Sequence, residues 1–236
     1  MIIYGKNTVL EALKSNKDIT KIYVTSNNLE LVKKYLNNKK IDIEVLQLAQ
    51  MNKMFDGNHQ GIACEIMQYG YVSLDEIIRK NADKENAALV ILDGLEDPHN
   101  LGAILRTADA TGINGVIIPK NRSVSLNSTV AKVSTGAIEH VDCCQTTNLV
   151  QAMNELKKAG YWIIGLELDG TIDYREQDYK GKIAVVVGSE GRGISKLVKE
   201  NCDFLVRIPM YGKVNSLNAS VSAGLLLYQI LTSRGL

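Results

Sequence analysis

Residues 208–230 read IPMYGKVNSLNASVSAGLLLYQI and predict the end of a strand, a polar turn and a helix. Pro209 has no backbone N–H to donate, so it ends the sheet pairing of the apolar run before it. Gly212 permits a sharp turn, and Asn215 and Ser216 are good N-caps for the following helix. The first turns of that helix hold small side chains, which allow another backbone or a flat ligand to come close. The alternative is a C-terminal helix that only packs on a sheet, but the density of Asn and Ser at its mouth favours a functional role.

The region before this stretch alternates strands with helices from residue 87 onward. Near-continuous apolar runs such as AALVIL and IAVVV predict a sheet that is covered on both faces. The alternation predicts parallel strands and right-handed crossovers, so we expect an α/β fold. Ligands of such sheets bind beyond the carboxyl ends of the strands. The predicted strands are 87–92, 115–118, 140–144, 162–166, 183–187 and 204–208, and the predicted helices are 101–110, 128–137, 149–159, 195–200 and 218–231.

The first 72 residues show a smaller α/β pattern, and the next segment is charged and loses its apolar period, as linkers do. We therefore predict a small domain at residues 1–72, a linker at 73–86 and a larger domain at 87–236. In the small domain we predict helices at 7–13, 29–36 and 47–55 and strands at 19–25, 41–48 and 62–67, and in the linker a short helix at 74–79.

Length and composition set limits on the class of protein. The chain has 236 residues and is 45% apolar, which is typical of a globular protein. It contains no run of about 18 apolar residues and no apolar segment followed by a cleavage site at its start. We therefore expect no membrane contact and a cytoplasmic location. The net charge is only +1, so a surface that binds nucleic acid has to be a local patch.

The cysteine and histidine residues give no sign of a metal site. None of the four cysteines forms a CxxC pair, and the three histidines have no metal-like spacing. Cys143 and Cys144 are adjacent on a predicted strand, so their side chains should point to opposite faces of the sheet. We expect these thiols to be small buried side chains in a reducing compartment.

The first of two polar loops follows the strand at 87–92 and reads LDGLEDPHNLGAILRTA, residues 92–108. Pro98 stiffens the loop, and Asn100 can cap the helix that follows. Arg106 comes six residues later, and we expect both side chains to face the loop. The alternatives are that Asn100 is only an N-cap and that Arg106 is only a surface ion-pair partner.

The second polar loop, residues 187–195, reads VGSEGRGIS and follows the strand at 183–187. Its three glycines allow backbone groups to approach a ligand. The lysine of a phosphate-binding P-loop is missing, and no dinucleotide-binding GxGxxG motif is present. Glu190 makes the loop negative, which favours a sulfonium or an adenosine ribose over a pyrophosphate. The alternative is a tight glycine turn in which Glu190 caps the next helix.

In this order, the two loops and the opening stretch resemble the three motifs of the SpoU class of RNA ribose 2′-O-methyltransferases, which belong to the SPOUT superfamily. DPHNLGAILRTA is similar to the first motif, VVVGSEGRGIS to the second and IPMYGKVNSLNASVSAGLLLY to the third. YGKNTVLEALKS and HQGIAC resemble the ribosomal-protein-L30-like substrate-binding domain of the bacterial 23S rRNA guanosine 2′-O-methyltransferase subgroup.

This resemblance implies a C-terminal segment threaded through a loop in a deep trefoil knot. It also implies a homodimer with the active site near the subunit interface, RNA as substrate and S-adenosyl-L-methionine as methyl donor. The residues that would bind the cofactor are Gly188, Ile208, Leu217 and Asn218. The residues that would take part in catalysis are Arg106, Asn100, Glu190, Ser216 and Asn218.

Arg106 has two possible roles in such a reaction: a general base, or a fixed cation that binds the neighbouring phosphate and favours the 2′-alkoxide. We favour the cation, because a guanidinium is almost never deprotonated in proteins. Within the family, the alternatives are a tRNA guanosine 2′-O-methyltransferase and an antibiotic-resistance rRNA methylase, and the domain at 1–72 favours rRNA. Outside that activity, the alternatives are a non-catalytic RNA-binding factor and a nucleotide-binding α/β enzyme.

Overall fold

The computed structural model describes residues 1–15, 18–36, 40–66, 69–214 and 216–235. These residues form a four-stranded sheet near the N-terminus and a seven-stranded sheet in the rest of the chain. Among them, no helix combines the length and the apolar character needed to cross a membrane.

The N-terminal sheet has the strand order β1-β4-β2-β3, with β4 antiparallel to β1 and β2, and with β2 parallel to β3. Ile3, Val9, Leu13 and Ile22 are fully buried in its core. The strands are β1 (Ile2–Tyr4), β2 (Ile19–Val24), β3 (Asp42–Val45) and β4 (Ile62–Ile66), and the helices are α1 (Lys6–Lys14), α2 (Ser26–Tyr35) and α3 (Leu48–Met54). Of these N-terminal elements, β1 alone was not predicted, because three residues are too few to show an alternating pattern.

Residues 73–86 pack onto the large sheet, although their composition predicts a linker. They contain α4 (Leu74–Lys80), whose Ile77 is fully buried in one core with Leu89 and Ile117. Ser73 caps α4 by accepting a hydrogen bond from the N–H of Glu76 at 3.1 Å. Part of this segment is therefore a packed helix, and the linker at 73–86 with its domain boundaries stays a prediction.

The large sheet has the strand order β7-β6-β5-β10-β8-β11-β9, and every pairing described in it is parallel, as predicted. Its strands are β5 (Ala87–Asp93), β6 (Gly115–Pro119), β7 (Cys143–Thr146), β8 (Trp162–Leu166), β9 (Ile172–Asp173), β10 (Lys182–Gly188) and β11 (Phe204–Arg207). Its helices are α5 (Pro98–Ala110), α6 (Ser128–Val133), α7 (Leu149–Lys158), α8 (Lys196–Glu200) and α9 (Ala219–Ser233), with a short 3₁₀ turn at Ala137–Glu139.

Both faces of the large sheet are covered, as the apolar strands predict. Val90 and Cys143 lie in one core cluster, whereas Ile91 and Cys144 lie in the other. The adjacent cysteines therefore point to opposite faces, which confirms the prediction from strand alternation.

Two predicted boundaries in this region are wrong for a local backbone reason. The helix predicted at 128–137 ends at Val133, and the strand predicted at 140–144 begins only at Cys143. Thr135 has a φ of 51° and Gly136 a φ of 102°, and neither value is compatible with a continuing right-handed helix. The resulting turn leads into the 3₁₀ segment at Ala137–Glu139, which ends directly before the predicted start of the strand.

The last helix is tied back to the sheet at its C-terminal end. The guanidinium of Arg234 is partly buried and donates to the carbonyl oxygens of Tyr179 at 3.1 Å, Gly181 at 3.0 Å and Ala87 at 3.3 Å. These bonds join α9 to the starts of β5 and β10. The trefoil knot of this segment stays a prediction.

Candidate functional site

A cavity of about 250 Å³ lies where β8, β10 and β11 end. This is the sheet edge at which ligands of parallel sheets bind. Residues from the second polar loop and from the opening stretch share its wall. Five of the residues named from the sequence line it, and they are Gly188, Glu190, Ile208, Ser216 and Leu217.

The second polar loop is a tight hairpin that forms one wall of the cavity. Ser189 and Gly193 exchange two backbone hydrogen bonds, of 3.1 and 3.0 Å. A Cβ atom at Gly188 would overlap the backbone of Gly193, and Gly193 itself has a φ of +66°. Glycine at these two positions therefore lets the loop close on itself and leaves backbone groups open to a ligand.

A cluster of three polar side chains joins the three motifs beside this cavity. The Nδ2 group of Asn100 donates to Oε1 of Glu190 at 3.0 Å. The Nδ2 group of Asn218 donates to Oδ1 of Asn100 at 2.9 Å and also to Oε1 of Glu190. The N–H of Ala219 donates to the same carboxylate oxygen at 3.4 Å. All of these donors are neutral, and no Lys or Arg of the described residues forms an ion pair with Glu190, although Arg192 of the same hairpin also lines the cavity.

The helix caps that the sequence predicts for the first polar loop and for the opening stretch are wrong. Asp97 caps α5 and accepts a hydrogen bond from the N–H of His99 at 2.9 Å, with Pro98 at the first helical position. Asn100 therefore lies inside the helix, and its buried amide is available to Glu190. Asn218, and not Ser216, caps α9. The other predicted cap, Asn215, lies outside the described residues.

Glu190 does not cap the helix that follows the hairpin, so that alternative is wrong as well. Ser195 occupies the N-cap position of α8, and its N–H donates to Oδ2 of Asp93 at 2.7 Å. Asp93 ends β5, and its carboxylate thus holds the start of α8 close to the neighbouring strand end.

Arg106 is not at this cavity, and the prediction that it faces the same loop as Asn100 is wrong. A residue six positions further along an α-helix lies about 240° around its axis. Arg106 is exposed and lines a second cleft, of about 530 Å³, between α1 and the turn after α6. Asn7, Lys14 and His140 also line this cleft. Among the described residues none forms a hydrogen bond or an ion pair with Arg106, and its catalytic role stays a prediction.

The N-terminal unit contacts the large unit around this second cleft. Glu11 of α1 accepts from Lys14 at 2.5 Å and lies 3.3 Å from Nε2 of His140. The hydrogen bond with Lys14 is the main cause of the lowered pKa of Glu11. Ser15 donates to the carboxylate of Glu139 at 3.0 Å.

The thiols of Cys144 and Cys202 both have a pKa that is raised by burial. Burial raises the pKa of Cys144 to about 11 and that of Cys202 to about 12, so both thiols stay protonated near neutral pH. No group of His, Cys, Asp and Glu side chains that could hold a metal ion occurs among the described residues.

Glu167 lines the cavity and was missed by the sequence reasoning. It follows β8 directly, and its carboxylate accepts a hydrogen bond from the N–H of Ile194 in the hairpin. The available signal was its position at the end of a predicted strand, at the edge where the polar loops meet.

Comparison with known proteins gives two family matches that together span most of the chain. The model of the SpoU rRNA Methylase family matches residues 87–228, and the model described as RNA 2′-O ribose methyltransferase substrate binding matches residues 2–72. A protein of Staphylococcus haemolyticus, whose name assigns it to the TrmH family of tRNA/rRNA methyltransferases, is 46% identical over 239 residues. That alignment covers 99% of this chain and 96% of the relative.

Two solved structures have the same fold over nearly the whole chain. The AdoMet-bound rRNA methyltransferase of Sinorhizobium meliloti is 25% identical with a TM-score of 0.82, over 97% of this chain and 85% of the other. The SpoU methyltransferase AviRb of Streptomyces viridochromogenes, in complex with AdoMet, is 20% identical with a TM-score of 0.85, over 99% of this chain and 90% of the other.

Proposed function

The chain belongs to the SpoU family of RNA methyltransferases, and from this membership we propose that it methylates a ribose 2′-hydroxyl of RNA, on a guanosine of 23S rRNA. S-adenosyl-L-methionine is the proposed methyl donor. The observation that carries the proposal is the cluster of Asn100, Glu190 and Asn218, because it brings the three motifs together at the wall of one cavity.

The residues around the cavity fit this cofactor. The glycine hairpin leaves the backbone open at Gly188, while Ile208 and Leu217 supply backbone and apolar surface from the opening stretch. Two carboxylates, Glu167 and Glu190, and one cationic side chain, Arg192, line the cavity, so the excess of acidic groups favours a ligand that carries a positive charge. When bound, the cofactor supplies an electrophilic methyl group on a sulfonium. The AdoMet-bound relative of Sinorhizobium meliloti supports this assignment.

The chain's own residues then have separate tasks. Glu190 is held by neutral amides and stays a hydrogen-bond acceptor at the cavity wall. Ser216 lines the same cavity and can donate a hydrogen bond to the ligand, while Asn218 fixes the start of α9. Arg106 acts as a fixed cation: it binds the phosphate next to the target ribose and stabilises the negative charge that develops on the 2′-oxygen while the hydroxyl proton passes to solvent water.

The position of Arg106 supports a homodimer in which this residue acts on the cavity of the second subunit. Arg106 lines a cleft that shares no residue with the cavity of its own chain. An apolar stripe suited to a subunit interface lies on α9, where Val221, Leu225 and Tyr228 share one helix face and are 51%, 40% and 53% exposed.

Mixed dimers test this arrangement. Arg106→Ala and Glu190→Ala subunits should each be inactive alone, and mixing them should restore methyl transfer because a mixed dimer contains one complete site. If the mixture stays as inactive as its components while both variants still form dimers, the arrangement across subunits is contradicted.

Within the proposal, residues 1–72 bind the RNA substrate, 73–86 connect the domains and 87–236 carry the catalysis, with a trefoil knot at the C-terminal end. The match of residues 2–72 to a substrate-binding model supports this division. The name of the Staphylococcus haemolyticus relative includes both tRNA and rRNA, so a tRNA guanosine is the second candidate acceptor. The rRNA methyltransferase of Sinorhizobium meliloti, which matches this chain along 97% of its length, supports rRNA.

Mapping of ribose methylation in total RNA separates these acceptors. A strain that lacks the protein should lose one 2′-O-methyl group from 23S rRNA, and purified protein with S-adenosylmethionine should restore it. Loss of a tRNA methyl group instead would favour the second acceptor, and an unchanged methylation map would contradict the proposal.

A further inference from the structure

Glu167 is fixed at the point where β8 leaves the sheet. Its N–H donates to the carbonyl oxygen of Val206 at 2.9 Å, and its own carbonyl accepts from the N–H of Gly170 at 3.1 Å. The backbone of Glu167 is thereby held against the end of β11, and the side chain contributes to the cavity wall.

The carboxylate of Glu167 and the glycine hairpin are fitted to each other. Oε1 accepts a hydrogen bond from the N–H of Ile194. A Cβ atom at Gly193 would lie only 2.6 Å from the same oxygen, so the approach of the carboxylate depends on glycine at that position. One oxygen of Glu167 is therefore used to hold the hairpin.

The second carboxylate oxygen is available to a ligand. Among the described residues none donates a hydrogen bond to Oε2 of Glu167, and none forms an ion pair with it. Lys199 is near enough to interact with Glu167 electrostatically, but its ammonium group donates to both oxygens of Asp169 at 2.7 Å. A fixed acceptor thus remains in the wall of a cavity whose other carboxylate, Glu190, is bound to α5 and α9.

We propose that Glu167 binds a ribose hydroxyl of the adenosine cofactor and so makes the cavity selective for a ribonucleoside. A hydroxyl donor bound to a carboxylate forms a charge-assisted hydrogen bond, and an acidic side chain at a strand end binds ribose in the same manner in dinucleotide-binding sheets. Leu166 and Leu168 flank Glu167 on the same wall and offer apolar surface to the base. The inference rests on the proposed function, since it takes the same cavity as the cofactor site.

Calorimetric titration with ribose-modified ligands tests the contact. The ligands are S-adenosylhomocysteine and its 2′-deoxy and 3′-deoxy analogues, and the proteins are the wild type, Glu167→Gln and Glu200→Gln. Glu200 is exposed on α8 outside the cavity, so its variant removes the same charge without touching the site.

The contact predicts a non-additive pattern of affinities. The wild type should bind the deoxy analogue that lacks the contacted hydroxyl about tenfold more weakly than S-adenosylhomocysteine. Glu167→Gln should bind S-adenosylhomocysteine about tenfold more weakly than the wild type does. Glu167→Gln should bind that deoxy analogue little more weakly than it binds S-adenosylhomocysteine, because the substitution and the missing hydroxyl remove the same hydrogen bond. Glu200→Gln should bind all three ligands as the wild type does. If Glu167→Gln does not fold, Glu167→Asp keeps the charge and should keep the preference for the ribose hydroxyl.

Three results would overturn the inference: equal weakening of all three ligands by Glu167→Gln, unchanged affinities, or a wild type that binds none of them. Equal weakening would mean that the side chain only holds the hairpin. A parallel assay of methyl transfer to RNA keeps the proposed function separate. Non-additive affinities without methyl transfer would contradict the proposed function alone, whereas methyl transfer with additive affinities would contradict the role of Glu167 alone.

Discussion

The side-chain amide of Asn218 both caps α9 and takes part in the polar cluster with Asn100 and Glu190. Replacing Asn218 should show how much each role contributes to the free energy of unfolding. Its Oδ1 caps α9 and accepts from the N–H groups of Ser220 at 2.9 Å and Val221 at 3.2 Å. Its Nδ2 donates to Asn100 and Glu190 in the polar cluster. Asn218→Ala removes both sets of hydrogen bonds. Asn218→Asp keeps the oxygen that caps α9 but replaces the donating Nδ2 group with an oxygen, which adds a carboxylate beside that of Glu190.

The structure gives the size of each effect. Loss of a helix cap costs about 1 kcal/mol of the free energy of unfolding. Loss of the hydrogen bonds to Asn100 and Glu190 costs about 1–1.5 kcal/mol of the free energy of unfolding. This value is at the lower end for hydrogen bonds to a charged group, because Asn218 is exposed. We therefore expect Asn218→Ala to lower the free energy of unfolding by about 2–2.5 kcal/mol.

Urea unfolding followed by circular dichroism measures this change, and Asn148→Ala provides the matched control. Asn148 caps α7 by accepting from the N–H of Gln151 at 3.1 Å and has no part in the cluster, so its variant should show the cap contribution alone. A loss in Asn218→Ala no larger than that of Asn148→Ala would refute the energetic link between the cap and the cluster.

Asn218→Asp adds a test by pH. Its carboxylate lies beside that of Glu190, and like charges raise the pKa of one of the two in the folded protein. A carboxyl pKa that is raised in the folded protein lowers the free energy of unfolding at pH values above the carboxyl pKa of the unfolded chain. This loss of stability disappears as the pH falls below the pKa of the unfolded chain. The part of the stability loss that comes from repulsion between the two carboxylates should therefore disappear in acid, and a loss that is independent of pH would contradict the contact.

Two further predictions concern stability away from the cavity. Arg234→Met should lower the free energy of unfolding by about 2–3 kcal/mol in urea, because it leaves three backbone carbonyls without their charged donor; Arg234→Lys should recover part of this loss, and an unchanged midpoint would refute the role of the guanidinium. The pKa of Asp173 is held at about 2, mainly by its hydrogen bond with the side chain of Arg175. A lowered folded pKa stabilises the protein above the ordinary value, and this contribution is lost as the pH falls toward 2, so Asp173→Asn should flatten that part of the acid-stability profile.

The sequence pattern predicts most of the large sheet because its strands are buried on both faces. Runs such as residues 87–92 and 183–187 are apolar throughout, so their limits are visible without any knowledge of their neighbours. The meeting of the polar loops at one edge follows from parallel pairing, and Glu190 lies where that reasoning places it. The short strands β1 and β9 were not predicted, because pairing with β4 and with β11, and not a pattern in their own two or three residues, determines them.

Predictions at the site are wrong where the position of a side chain depends on the residue at which a helix begins. A site residue is missed where its partner is a backbone group far along the chain. Asp97 and Pro98 mark the true start of α5, and this shifts Asn100 from the cap into the first turns of the helix. The same phase turns Arg106 away from Asn100. Glu167 carries no motif of its own, since its partner is the N–H of Ile194, 27 residues further along the chain.

Transfer of labelled methyl groups from S-adenosylmethionine to ribosomal RNA measures both the proposed activity and the role of Arg106 as a fixed cation. The wild type should label a ribose 2′-oxygen. Arg106→Ala should lose at least about a hundredfold in rate while it binds the cofactor with unchanged affinity, and Arg106→Lys should retain part of the rate. Full activity of Arg106→Ala would exclude the role of Arg106 as a cation in catalysis, and a wild type that labels no ribose would exclude ribose methylation.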